Sequence, residues 1–125
     1  MAVLDASAVL AVTFAEAGAE AVAPELPNAT LSAVNLSEVY GRIIRRGGDI
    51  EPIPDFLERY DIEVVPFDEE LAEITAKLIP ATRSHGLSLG DRACLALALQ
   101  RGLPVMTADR AWRDLDLGVE IRLIR

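Results

Sequence analysis

The chain has 125 residues, of which 51% are apolar and 26% charged, and this composition is typical of a folded domain rather than a disordered segment. Its formal net charge of −8 argues against a protein that binds nucleic acid through a broad basic surface. The single cysteine, Cys94, excludes an internal disulfide framework. These features predict one domain over residues 1–125.

The apolar N-terminal stretch lacks the features of a secretory signal peptide. No basic residues precede the apolar run, and Asp5 interrupts it. No apolar stretch of the chain is long enough to cross a bilayer. We therefore expect a cytoplasmic protein with no membrane association.

The first half of the chain reads as strands alternating with helices. Short apolar runs predict the strands, and apolar residues at helical spacing predict the helices. Asn35 is predicted as an N-cap, with Glu38 at the capping-box position and Gly47 as the stop signal. The predicted elements are a strand at 2–4, helices at 8–14 and 16–23, a strand at 29–33, and helices at 35–47 and 52–60.

The second half is organised around a helix that is apolar on all sides. It covers residues 89–100, follows a predicted capping box of Ser88 and Asp91, and ends at Gly102. Such a helix belongs in the centre of the molecule, with Cys94 as an inert core residue. The other predicted elements are a strand at 62–67, a helix from Asp68 to Pro80, a strand at 104–106, a helix at 109–115 and a strand at 120–124.

This alternation predicts an α/β fold with a mainly parallel central sheet and helices on both faces. In such sheets, ligands bind beyond the carboxyl ends of the strands. Four acids are predicted at that edge: Asp5, Glu38, Asp91 and Asp109. Capping explains each acid alone equally well, but capping does not require four acids at one edge. Their convergence favours a site for a hard divalent cation, since oxygen ligands suit Mg²⁺.

Four segments of the chain resemble, in the same order, the motifs of the PIN-domain ribonucleases, and most closely those of the VapC-type toxins of toxin–antitoxin pairs. They are VLDAS at 3–7, LSAVNLSEV at 31–39, LSLGDRACLALA at 87–98 and VMTADRAW at 105–112. The resemblance spans essentially the whole chain, so it predicts a single PIN-like domain.

The resemblance implies a metal-dependent endoribonuclease that uses Mg²⁺ or Mn²⁺ to activate water against an RNA phosphodiester. Carried over by position, the catalytic and metal-binding residues are Asp5, Glu38, Asp91 and Asp109, with Ser7, Thr107 and Arg92 as accessory residues. The implied partners are an RNA substrate, a cognate antitoxin protein and a second copy of the chain in a homodimer. Asp114 and Asp116 are further candidates near the site, although surface charge explains them better.

Other residues allow two interpretations each. Arg42 is expected either to form an ion pair with Glu38 or to contact a phosphate, and the ion pair is favoured. For Arg45 and Arg46 both interpretations stay open. Arg110 is a candidate phosphate contact, Trp112 is predicted in the core, and His85 is predicted in a surface loop. A set of large apolar residues fits ordinary core, an antitoxin groove or a dimer face: Phe14, Val39, Tyr40, Ile43, Phe56, Leu57 and Tyr60.

Three competing functions follow from the same α/β pattern. A receiver domain needs a phosphoacceptor Asp after the third strand, where this chain has Val65-Pro66-Phe67. A haloacid-dehalogenase-type phosphatase needs a second Asp at the position of Ser7. A non-catalytic PIN-like module that binds RNA or protein remains the alternative to the nuclease.

Overall fold

The computed structural model describes all 125 residues, and five short strands form its centre. The strands are β1 (Val3–Leu4), β2 (Thr30–Ser32), β3 (Glu63–Val65), β4 (Val105–Thr107) and β5 (Ile121–Leu123). The helices are α1 (Ala6–Thr13), α2 (Ala19–Val22), α3 (Ala33–Arg45), α4 (Pro52–Arg59), α5 (Glu69–Lys77), α6 (Ile79–Thr82) and α7 (Leu89–Arg101). Three short 3-10 turns lie at Ala23–Glu25, Arg83–His85 and Arg110–Asp114.

All neighbouring strands are parallel, in the order β3-β2-β1-β4-β5. The chain therefore starts in the middle of the sheet, adds β2 and β3 on one side and later adds β4 and β5 on the other. The strand order changes direction at β1, and the carboxyl ends of β1 and its neighbours form the edge where ligands bind in such folds. The predicted α/β class with a parallel sheet is confirmed.

Alternation along the central strands separates the core into two halves. Leu4 and Met106 belong to a cluster with residues of α1 and α3, whereas Val3 and Val105 belong to a cluster with α5 and α7. Successive residues of a strand point to opposite faces, so two apolar residues in a row need cover on both sides. The prediction of helices on both faces is confirmed.

Helix α7 is deeply buried along its middle. Its residues from Ala93 to Ala98 are all buried, and Cys94 is fully inaccessible. Burial raises the pKa of the Cys94 thiol well above its usual range, as expected for an inert core cysteine. Trp112 is also fully buried, as its predicted core position requires.

The start of α3 differs from the prediction. Ser32, not Asn35, is the N-cap, and its hydroxyl accepts a hydrogen bond from Val34 N. Ser is as good a cap as Asn, and here the helix begins directly where β2 ends. Asn35 thus lies inside the helix, buried, and has a different role.

Four other boundaries also differ. The predicted helix at 16–23 shortens to α2 and a 3-10 turn, because Gly18 in a left-handed conformation precedes it and Pro24 follows. The helix predicted at 109–115 is only the 3-10 turn Arg110–Asp114. The helix predicted from residue 8 begins at Ala6, and the one predicted to Pro80 ends at Lys77, before Pro80 enters α6.

The large apolar residues of the first half divide into two groups. Val39 and Ile43 are buried in the core, while the other members are only partly buried against it. Phe56 and Tyr60 pack edge to face with ring centroids 5.3 Å apart. None of the helices has both the length and the apolar character needed to span a membrane.

Candidate active site

Four acids that are far apart in the chain line one cavity of about 610 Å³ at the carboxyl edge of the sheet: Asp5, Glu38, Asp91 and Asp109. Asp5 directly follows β1, and Asp109 follows β4 by one residue. Glu38 lies in the second turn of α3, and Asp91 in the first turn of α7. The structure thus brings together all four predicted residues, and their roles as ligands or catalytic groups stay a prediction.

Asp5 is held at the bottom of this cavity by two hydroxyl groups. Its side chain is buried, and its Oδ2 accepts hydrogen bonds from Ser7 Oγ at 2.6 Å and Thr107 Oγ1 at 2.9 Å. Burial raises the pKa of Asp5, these two hydrogen bonds oppose the shift, and the charge of Asp91 adds to it. The two hydrogen bonds therefore fix the orientation of the carboxylate. A positively charged partner would stabilise its buried negative charge.

Ser7 and Thr107 also connect the two strand ends. Ser7 Oγ accepts a hydrogen bond from Ala108 N at 2.9 Å, and Thr107 Oγ1 accepts one from Asp109 N at 3.1 Å. Each hydroxyl donates to Asp5 and accepts from the backbone after β4. Both residues therefore lie beside the site and orient the Asp5 carboxylate. Both of their hydroxyl groups already form hydrogen bonds within the protein.

Glu38 is positioned by Asn35 and by the absence of a side chain at Gly90. Asn35 Nδ2 donates to Glu38 Oε1 at 2.8 Å and to Gly90 O at 3.0 Å, which links α3 to α7. A Cβ at Gly90 would lie 2.4 Å from Glu38 Oε1, so the carboxylate occupies the space that any larger residue would fill. Sequence reasoning treated Asn35 only as a cap and missed this function.

The pKa of Glu38 is also raised. Partial burial is the main cause, the Asn35 hydrogen bond opposes it, and the charges of Asp5 and Asp91 raise it further. Arg42 lowers this pKa through its charge, but the two side chains form no ion pair, so the predicted pair is wrong. Arg42 is exposed and lines the cavity.

Asp91 and Asp109 combine a capping contact with a place in the cavity. Asp91 Oδ2 accepts from Ser88 N at 2.9 Å, and Ser88 Oγ accepts from Asp91 N at 3.2 Å, so the predicted capping box is confirmed. Asp109 Oδ1 accepts from Ala111 N at 2.9 Å. Each carboxylate retains a second oxygen for another partner, so the capping and ligand-binding interpretations are compatible.

Several predicted accessory residues lie outside the cavity. Arg92, Asp114, Asp116 and His85 do not line it, and His85 belongs to a 3-10 turn rather than an irregular loop. Arg110 Nε donates to Arg125 O at 3.3 Å. Neither Arg92 nor Arg110 therefore reaches the four acids in this structure.

Arginine side chains also line the cavity, and the sequence predicts only some of them. Arg45 lies one turn beyond Arg42 on α3, and both line the cavity. Glu16 and Arg125 line it as well, with Arg125 Nη1 donating to Ala17 O at 2.7 Å. Glu16 pairs with Arg46 at 3.3 Å and Arg125 at 3.9 Å, and the Arg46 guanidinium stacks 4.1 Å from the Phe14 ring centroid.

No local pattern predicts the positions of Glu16 and Arg125, because they meet only through the tertiary fold. Ser37 and Gly41 also lie on the cavity wall. Their place there could be predicted, because each directly precedes Glu38 or Arg42 and the two pairs are one helical turn apart. No aromatic side chain lines the cavity. Its chemistry is therefore that of carboxylates, guanidinium groups and small residues.

The donor set fits a hard divalent cation such as Mg²⁺ or Mn²⁺. All candidate ligands are oxygens, and burial, followed by the charge of neighbouring acids, raises the pKa of both Asp5 and Glu38. No three acidic, histidine or cysteine side chains are grouped closely enough to hold a metal ion by themselves. A cation here would thus take one or two carboxylates, the arrangement that Mg²⁺ usually has, with other ligands from water or phosphate.

The profile of the PIN domain matches residues 2–117 of the chain. The chain belongs to the PIN-domain family. The match includes all four acids and every strand except β5. No curated protein sequence matches the chain.

Solved structures of toxin–antitoxin proteins share this fold over nearly the whole chain. A toxin–antitoxin complex from Klebsiella pneumoniae has a TM-score of 0.77 at 15% identity, covering 100% of this chain and 98% of that one. VapC20 of Mycobacterium tuberculosis, described as a sarcin-ricin loop cleaving toxin, has a TM-score of 0.73 at 16% identity, covering 96% and 99%. VapBC-5 of the same organism has a TM-score of 0.63 at 27% identity, covering 99% and 97%. The resemblance to VapC-type toxins is confirmed.

Proposed function

We propose that this PIN-domain protein is a metal-dependent endoribonuclease and the toxin of a toxin–antitoxin pair. The observation that supports the nuclease best is the convergence of Asp5, Glu38, Asp91 and Asp109 on one polar cavity. These four acids come from elements far apart in the sequence, and a purely structural fold has no need to place them together. The fold shared with VapC20, the sarcin-ricin loop cleaving toxin, supports the same reaction class.

The protein's own groups would prepare the site for a cation and a phosphate. Ser7 and Thr107 fix the Asp5 carboxylate, and Asn35 fixes that of Glu38. Burial and, to a lesser degree, neighbouring negative charge raise the pKa of both carboxylates, so a cation that binds there would offset the cost of their charge. When bound, Mg²⁺ or Mn²⁺ would supply an activated water and neutralise charge that develops on phosphate during in-line displacement.

The proposal includes two protein partners. The solved relatives from Klebsiella pneumoniae and Mycobacterium tuberculosis are toxin–antitoxin systems, and this supports a cognate antitoxin for the present chain. The partly buried apolar residues around α3 and α4 are the surface on which we expect an antitoxin helix or a second copy in a homodimer. Such a pair would act in the cytoplasm, where its RNA substrate lies.

RNA cleavage with a matched pair of acid variants tests the nuclease directly. End-labelled total RNA and structured RNA are incubated with Mg²⁺, with Mn²⁺ or with a chelator. We expect metal-dependent fragments from the wild type and from Asp114→Asn, which removes an exposed acid outside the cavity, and none from Asp91→Asn. Equal cleavage by Asp91→Asn, or cleavage in chelator, would contradict the proposed site.

The non-catalytic alternative gives a different result in the same assay. A module that only binds RNA would shift RNA in a gel-shift experiment and yield no fragments with either metal, whereas a module that only binds protein would neither shift RNA nor yield fragments. Fragment ends from an active wild type would identify the position of cleavage and hence the class of RNA.

A further inference from the structure

Gly41 lies in the interior of α3 at a position where the fold itself does not require glycine. Apart from proline, glycine is the least favourable residue inside a helix. A Cβ at this position would meet nothing within 4 Å, and the φ angle is not positive. Neither close packing nor backbone conformation therefore explains why this residue is glycine. Gly41 does, however, line the cavity.

The two arginines beside Gly41 have no partners within the protein. Arg42 and Arg45 are exposed, line the cavity and form neither an ion pair nor a side-chain hydrogen bond. By contrast, Arg46, the next arginine of this segment, pairs with Glu16, and Arg125, which also lines the cavity, donates to Ala17 O. Two free guanidinium groups on the wall of a cavity are suited to phosphate, which they bind in a bidentate manner.

These residues continue the line of Glu38 along one face of α3. Arg42 and Arg45 follow Glu38 by four and seven residues, which places them about 6 Å and about 10 Å from it along the helix axis. The cavity therefore runs from an acidic end to a basic end. Its lining has no aromatic side chain on which a base could stack, so its chemistry suits a phosphate backbone rather than bases.

We propose that the face of α3 formed by Gly41, Arg42 and Arg45 binds the sugar–phosphate backbone of a single RNA strand, next to the phosphate at the four acids. Gly41 lets the backbone approach the helix, and the arginines bind neighbouring phosphates. A cavity of about 610 Å³ has the size of a small-molecule site, which is enough for a short stretch of one strand. The inference rests on the proposed function, since it assigns the path of that substrate.

The salt dependence of RNA binding tests the arginines. Binding of a fluorescein-labelled oligouridine is measured by anisotropy over a series of KCl concentrations, with Mg²⁺ present and Asp91→Asn as the common background. Adding Arg42→Gln or Arg45→Gln is expected to weaken binding and to reduce the slope of log K against log[salt] by about 0.7 for each phosphate that is no longer neutralised. Arg83→Gln, an exposed arginine outside the cavity, is the matched control and should leave the slope unchanged.

Two variants of Gly41 distinguish a role in RNA binding from a purely structural role, because Tm and RNA binding are measured on each. Gly41→Ala should raise Tm by about 3 °C, because alanine favours the helix and no atom obstructs it. The same change should weaken RNA binding, and Gly41→Leu should weaken it further. A merely structural glycine would lose stability and binding together.

Unchanged RNA binding in Gly41→Leu, or unchanged salt slopes in both arginine variants, would overturn this assignment, as would a complete lack of oligouridine binding by the background protein. The proposed function can fail separately. In that case the wild type would cleave no RNA with either metal, while the arginine and glycine variants would still weaken binding.

Discussion

The buried amide of Asn35 has its hydrogen bonds arranged to position Glu38. Both groups that its Nδ2 contacts, Glu38 Oε1 and Gly90 O, are acceptors, so only one orientation of the amide is possible. Its Oδ1 is consequently buried without a partner, which is unfavourable. The fold tolerates this orphaned oxygen because the nitrogen fixes the Glu38 carboxylate beside α7.

Gly90→Ala is expected to impair activity without unfolding the protein. The new Cβ would lie 2.4 Å from Glu38 Oε1, and the flexible end of that side chain would move away. Because alanine is favoured over glycine in a helix by about 1 kcal/mol, the Tm should stay equal or rise. Cleavage assays and thermal melts of one preparation measure both effects, and cleavage at the wild-type rate would show that the position of Glu38 is unimportant.

Asp5→Asn should stabilise the metal-free protein at neutral pH. The raised pKa of Asp5 means that the folded state binds its proton more tightly than the unfolded state does. The contribution of Asp5 to stability is therefore lost as the pH rises from the unfolded pKa, about 4, through the folded one. Asparagine removes this loss, so the difference in Tm between variant and wild type should grow over that window and then level off.

Melting curves in chelator at a series of pH values measure that difference. Asp114→Asn, which removes an exposed acid outside the cavity, serves as the comparison. A variant that becomes less stable than the wild type as the pH rises would contradict the assigned cause, which is burial of the charge.

At the scale of elements, α7 combines a structural and a chemical function in its first turn. Ser88 and Asp91 cap the helix reciprocally, while Asp91 also faces the cavity. Ser88→Ala should cost about 1 kcal/mol of stability through removal of the cap and leave RNA cleavage intact. Asp91→Asn retains an oxygen for the Ser88 N–H group and should keep the fold while abolishing cleavage.

Denaturant unfolding and RNA cleavage, measured on both variants, separate the two functions. Loss of cleavage in a folded Ser88→Ala protein would place the serine in the chemistry instead of in the cap.

The order of the elements could be predicted because the strands are short segments rich in apolar or β-branched residues, separated by helix and turn signals. The acids could be predicted for the same reason, since Asp5 directly follows buried β1 and Asp109 follows buried β4 by one residue. The boundary at Ser32 was missed because Ser32 and Asn35 are both good caps, and only the end of β2 selects between them. The contact between Arg125 and Ala17 joins residues with no local relation, so no sequence pattern predicts it.

At the scale of the whole molecule, the cavity collects charge from four separate parts of the fold. A cation bound by one or two of these carboxylates would be held only where the fold brings them together, so it should stabilise the folded state and not the unfolded state. We expect Mg²⁺ or Mn²⁺ at one hundred times its Kd to add about 2.7 kcal/mol to the free energy of unfolding. A thermal titration measures this stabilisation, which Asp5→Asn should reduce and Asp114→Asn should not.

A stabilisation that is the same in Asp5→Asn and in the wild type would show that the cation binds elsewhere. Addition of a chelator should reverse the shift, and this distinguishes specific binding from irreversible aggregation during heating.

The central position of β1 has a consequence for synthesis of the chain. β1 is made first, but one of its two neighbours, β4, begins at residue 105, and the hydroxyl of Thr107 that holds Asp5 lies 102 positions downstream. Bringing such distant segments together is slow because a long loop must close before any contact forms. On the ribosome, the acidic centre therefore assembles only after β4 has emerged, and a shorter nascent chain contains its first acid but no working site.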